Sequence, residues 1–117
     1  MRKQFLFLFI LSCLSSKAQL VTDSFLIDNN YRTFHFRKPS STNIKSSLIF
    51  ILHGSGGSGE GIMKGTGKLE AIAEKENIVL VYPDGYKHFW NECRKAATSA
   101  ANIENIDETL AILSILK

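Results

Sequence analysis

Two short runs of apolar residues fix most of what this chain can fold into. They are Leu48-Ile49-Phe50-Ile51-Leu52 and Ile78-Val79-Leu80-Val81-Tyr82. Each is too short for a helix, rich in β-branched side chains, and apolar on both of the faces a strand would present. That is the pattern of strands buried in a parallel sheet. Between them, Leu69, Ile72 and Ala73 recur at helical spacing with charges elsewhere, which predicts a helix over residues 69–76. Strand, helix and strand in that order make a βαβ unit with a crossover connection. The expected class is therefore α/β.

Flanking segments extend this core. Phe25-Leu26-Ile27 precedes the turn-forming Asp28-Asn29-Asn30. From Tyr31 to Arg37 the chain alternates, with Phe34 and Phe36 on one face and Thr33 and His35 on the other. Two such runs about an Asx-rich turn predict a β-hairpin. The polar Pro39-Ser40-Ser41-Thr42-Asn43 reads as a loop. Residues 103–117 place Ile103, Ile106, Leu110 and Leu113 on one face of a predicted amphipathic helix.

The N-terminus has a different character. Met1-Arg2-Lys3 is basic, and Phe5-Leu6-Phe7-Leu8-Phe9-Ile10-Leu11 is apolar but too short to span a bilayer. Small residues then lead to Ser16-Lys17-Ala18. This is the layout of a removable secretory signal over residues 1–18, with cleavage after Ala18. It leaves residues 19–117 as the mature chain, secreted or periplasmic. Lipid attachment at Cys13 is the alternative, and the only route to a membrane that the sequence offers. The whole chain carries 14 basic and 11 acidic residues. Without Arg2, Lys3 and Lys17 the balance is 11 against 11, so no basic excess remains to recruit nucleic acid. Cys93 is then the sole thiol and has no internal partner for a disulfide. No cluster with metal-ligand spacing occurs, and no cofactor is expected.

Chemistry concentrates after the first apolar run, in His53-Gly54-Ser55-Gly56-Gly57-Ser58-Gly59. Glycines there let the backbone bend sharply and turn N–H groups toward a cleft. N–H groups so placed can stabilise the oxyanion that develops in acyl transfer. The same residues also spell Gly54-x-Gly56-x-x-Gly59, with Asp84 ending the next strand, as in a dinucleotide site. Such a loop must open directly into a helix. Here Gly61, Gly65 and Gly67 follow, so no regular helix is expected before Thr66. Tyr82-Pro83-Asp84-Gly85 has the composition of a turn, and Asp84 is assigned a structural part in it. Trp90 and Asn91 lie in a polar loop after the second strand, where an aromatic side chain either lines the cleft of a parallel sheet or caps its core. His53, with Gly54 and Gly57, is expected to organise the glycine loop rather than to act as a base. His35 and His88 have no acidic or nucleophilic partner at a telling spacing.

In order, Leu-His-Gly-Ser-Gly-Gly, Val-Tyr-Pro-Asp-Gly, Trp-Asn and Ile106-Asp107-Glu108-Thr109-Leu110 resemble the polyhydroxybutyrate depolymerase and feruloyl esterase group of exported α/β-hydrolases. The resemblance spans residues 48–113. It implies a serine mechanism on carboxylic esters, either polyester or plant cell-wall ester. Ser55 and Gly56 would be the oxyanion donors, Trp90 and Asn91 would line the substrate cleft, and Asp107 would be a structural helix residue. The nucleophile elbow G-x-S-x-G does not occur. Ser58 comes nearest, with Gly56 before it but Glu60 in place of the second glycine. The expectation is thus the N-terminal part of an α/β-hydrolase, cut before the nucleophile strand and inactive alone. A nucleotide-binding βαβ domain and an inert truncated product remain the other two readings.

Overall fold

The computed structural model describes residues 19–41, 45–94 and 96–116. The expected signal segment with Cys13, Thr42 and Asn43 of the loop, and Lys117 lie outside these. Within them is a small mixed α/β domain built on one four-stranded sheet. Strand β1 (Gln19–Ile27) and β2 (Asn30–Lys38) form the expected hairpin, with Ile27 paired to Asn30. Asp28 and Asn29 turn the chain at φ +46° and +62°, a left-handed pair that Asx residues tolerate and tight hairpins require. Strands β3 (Ser47–Phe50) and β4 (Ile78–Pro83) pair in parallel. The sheet order is β1-β2-β4-β3, and β2 runs antiparallel to β4.

Between β3 and β4 the chain forms two helices, α1 (Gly59–Gly65) and α2 (Gly67–Lys75). The second matches the helix expected over 69–76. The first overturns the expectation that glycines keep residues before Thr66 irregular. Ser58 caps α1, its hydroxyl accepting from Gly61 N–H at 3.0 Å. Gly59 is required by packing, because a Cβ there would lie 2.3 Å from the Tyr82 carbonyl oxygen. The glycines are thus compatible with helix because the helix abuts the sheet backbone. Gly59→Ala should lower stability by about 2 kcal/mol through this overlap. Gly65→Ala, with open space around its Cβ, should be neutral or gain about 0.5 kcal/mol. Urea midpoints of the two variants provide the comparison.

One face of the sheet carries the core. Leu80 and Tyr82 of β4 are fully buried against Met63 of α1 and Ala73 of α2, with Ile51, Ile62, Leu69 and Ile78 packed around them. Burial pushes the Tyr82 phenol above its ordinary pKa, against the opposing hydrogen bond from Thr66. The other face carries Phe25, Phe34 and Phe36, with Phe25 tilted against Phe34 at 5.7 Å between centroids and Phe34 stacked on Phe36 at 5.9 Å.

Two further expectations need correction. The run at 48–52 is not a buried strand. Its last bond to the sheet is from Ile51 N–H to the Val81 carbonyl at 2.8 Å, it borders only β4, and Leu48, Ile49 and Leu52 are exposed. The helix expected over 103–117 is two short ones, α3 (Ala100–Ile103) and α4 (Glu108–Ser114). Asn105, at φ +51°, breaks the chain between them, and Asp107 caps α4 by accepting from Leu110 N–H at 2.8 Å. The break resets the helical phase. Ala111, Ile112 and Ile115 turn to the sheet side beside Phe25 and Pro83, while Ile103, Leu110 and Leu113 face outward.

Candidate functional site

The glycine loop leaves β3 beside the carboxyl end of β4, and one buried side chain joins the two. His53 is 5% exposed. Its Nε2 accepts from Gly85 N–H at 2.9 Å, and its Nδ1 lies 2.7 Å from the Gly54 carbonyl oxygen. A backbone N–H can only donate and a carbonyl can only accept, so the ring is neutral with its proton on Nδ1. Both ring nitrogens are therefore committed. His53 has no lone pair left for base catalysis, and it fixes the loop to the Tyr82-Pro83-Asp84-Gly85 turn. Trp90 completes the arrangement. Its ring packs on His53 at 4.9 Å between centroids, and its Nε1 donates to the His53 carbonyl at 2.9 Å.

The glycines after His53 differ in what they do. Gly57 N–H donates to Gly54 O at 3.0 Å, closing a tight turn. Gly56 sits at φ +74°, a conformation that favours glycine. Its N–H donates to the His88 carbonyl at 2.9 Å. The Gly56 hydrogen, expected to serve as a donor, is thus engaged within the fold. The N–H of Ser55, an exposed residue, has no acceptor among the described residues, and Ser55 lines a cavity of about 550 Å³. That size suits a small-molecule site. Phe89, Trp90 and Ala97 supply apolar wall, and Glu92 and Arg94 pair with one another at its rim.

Asn91 does not line this cavity. Its Nδ2 donates to the Ile106 carbonyl at 3.0 Å and its Oδ1 accepts from Cys93 N–H at 3.1 Å. It clamps the connection between α3 and α4 to the loop, a structural task that the motif alone does not distinguish from substrate contact.

Asp84 carries more than a turn. Its Oδ1 accepts from Gly59 N–H at 2.6 Å, so a carboxylate occupies the start of α1. Its Oδ2 lies 3.8 Å from His35 Nε2, and His35 Nδ1 is 2.8 Å from the Thr22 hydroxyl. Arg32, 5% exposed, donates to the Asp84 carbonyl at 3.1 Å and to Glu108 Oε2 at 2.5 Å. His88 donates from Nδ1 to the Gly57 carbonyl at 3.0 Å. None of these contacts has a local sequence signal, since each joins residues at least 13 positions apart.

The turn after Gly85 is anchored at its outer end. Glu104 accepts from the Tyr86 hydroxyl and from Lys87 Nζ, each at 2.7 Å. The Lys87 bond, then the Tyr86 bond, holds the Glu104 carboxyl below the usual carboxylate range, and Lys87 is raised above its ordinary value by the same contact. No cluster of histidine, cysteine and carboxylates suited to a metal occurs among the described residues. Neither protein-family models nor curated proteins give a match to this chain.

Proposed function

We propose that this chain forms the oxyanion side of a carboxylic ester hydrolase of the exported α/β-hydrolase type, with serine, acid and catalytic histidine supplied by sequence outside it. The observation that carries this reading is Ser55. Its N–H is without an acceptor among the described residues, at the wall of a cavity walled by Phe89 and Trp90, on a loop that His53 locks to the end of β4. A preorganised N–H in such a place stabilises the negative oxygen that forms when a nucleophile attacks an ester carbonyl. Donors of this kind stabilise only what a nucleophile creates, so the chain by itself should not turn over ester. The aromatic wall suits the acyl or aryl part of a polyester or cell-wall ester.

The nucleotide reading loses its support at one atom. A dinucleotide loop offers its helix N-terminus to pyrophosphate. Here the Gly59 N–H is filled by the Asp84 carboxylate, whose charge would repel a phosphate.

Trp90 is the only tryptophan, so its emission reports on the cavity directly. Nitrophenyl butyrate should quench it saturably, and Ala97→Phe, which fills the cavity, should weaken that binding at least about tenfold. NADH should leave no saturable change beyond its own absorbance. Saturable binding of NADH together with none of the ester would overturn the assignment.

A further inference from the structure

The loop holds a second N–H group of the right kind, and the fold withholds it. Gly56 N–H is held by the His88 carbonyl at 2.9 Å, while the His88 ring returns a bond from Nδ1–H to the Gly57 carbonyl at 3.0 Å. One residue therefore grips the Gly56-Gly57 segment from both sides. The grip sits on an unusual backbone. Lys87 and His88 have φ of +48° and +72°, left-handed values that glycine or asparagine normally supplies in a two-residue turn. Their conformation persists because the surroundings impose it. Tyr86 and Phe89 bridge across the turn, and Glu104 fixes Tyr86 and Lys87 from outside.

The residue that follows His88 is a wall of the cavity. Phe89 lines the same space as Ser55 and Trp90. Phe89 also belongs to the turn by its backbone, its N–H donating to the Tyr86 carbonyl at 3.0 Å, so the cavity wall and the turn that carries the His88 carbonyl are adjacent.

We infer that the Lys87-His88 turn is a latch on the oxyanion loop, holding Gly56 N–H out of use until an ester filling the cavity displaces Phe89 and frees it as a second donor beside Ser55. The functional half of this inference rests on the ester hydrolase reading. The latch itself does not, since it is a statement about which acceptor Gly56 N–H has.

The test is amide hydrogen exchange of the full chain, resolved to single residues by fragment mass spectrometry at low micromolar protein. Gly56 should exchange at least about tenfold more slowly than Ser55, its unbonded neighbour, after correction for intrinsic rates. His88→Gly keeps the left-handed backbone and loses the ring. It should speed Gly56 exchange several-fold while leaving Gly85, held by His53, unchanged. His88→Asn, which also tolerates the backbone and retains an amide donor, should restore part of the protection. Equal exchange of Gly56 and Ser55 in the unmodified chain would overturn the latch, and a Gly56 rate indifferent to His88→Gly would overturn the part the His88 ring has in it. Phenylphosphonate, an aryl tetrahedral anion, then probes the ester reading separately. Slowed exchange at Ser55, and at Gly56 more strongly in His88→Gly than in the unmodified chain, supports it. An intact latch with no effect of phenylphosphonate at Ser55 would sink the ester reading and leave the latch standing.

Discussion

Replacing His53 by alanine should remove about 4 kcal/mol of stability, enough to abolish cooperative unfolding in a domain of this size. The estimate comes from what the ring leaves behind. Gly85 N–H, buried and bonded to the ring at 2.9 Å, loses its acceptor, and a buried unsatisfied group costs about 1–3 kcal/mol. The exposed Gly54 carbonyl keeps its bond from Gly57 N–H and loses only the ring at 2.7 Å. Trp90 also loses the ring it packs on. His53→Gln, with one amide donor and one carbonyl acceptor, should recover roughly half. Urea unfolding followed through Trp90 emission measures both. A loss under about 1 kcal/mol for His53→Ala would mean that the loop is held by something other than this ring.

Arg32→Met should be nearly as damaging, at about 3–5 kcal/mol. It leaves Glu108 charged and largely enclosed, its side chain 12% exposed, and removes the guanidinium that donates to the Asp84 carbonyl. The double substitution Arg32→Met with Glu108→Leu should recover most of that loss. A buried pair compensates its own desolvation only when its other polar atoms are bonded too. Here Arg32 Nε and Glu108 Oε1 have no partner among the described residues. The pair thus joins β2 to α4 and specifies where α4 docks, while adding little net stability. A double-mutant cycle decides the point. If the double variant is as unstable as Arg32→Met, the loss comes from the Asp84 contact or from packing and not from a stranded charge.

The legible parts of the fold were those set by local pattern. Alternation of Phe34 and Phe36 against Thr33 and His35, with Asp28-Asn29 between two runs, was sufficient for the hairpin. The run at 78–82 showed its burial on both faces. The run at 48–52 has the same composition but borders a single strand, and nothing in its residues shows that. Spacing alone also gave α4 the wrong phase, because one left-handed residue at Asn105 rotates everything after it. Helix α1 was obscured by its glycines. Gly59 is there for the approach of Tyr82, a contact between positions far apart in sequence.

The site divides along the same line. His53 was placed as a loop organiser from its position before the glycines, and its two committed nitrogens give that role a chemical form. Ser55 stood out as a backbone donor. Asn91 and Gly56 are each engaged by a backbone group that their motifs do not announce, Ile106 in one case and His88 in the other. The network of Arg32, Asp84 and Glu108 left no trace in the sequence, since its members come from three separate elements.

The central claim is that the chain supplies oxyanion donors to a serine supplied from elsewhere. It is tested most directly by expressing the gene with the coding sequence that continues past Lys117, in whichever frame is open, beside the 117-residue chain. The account predicts a G-x-S-x-G strand-to-helix turn within the next few tens of residues. It also predicts hydrolysis of nitrophenyl butyrate by the longer protein, abolished by alanine at that serine, and none by the shorter chain. Hydrolysis by the 117-residue chain that survives replacement of both Ser55 and Ser58 by alanine would contradict it, as would a longer protein that continues without any such serine.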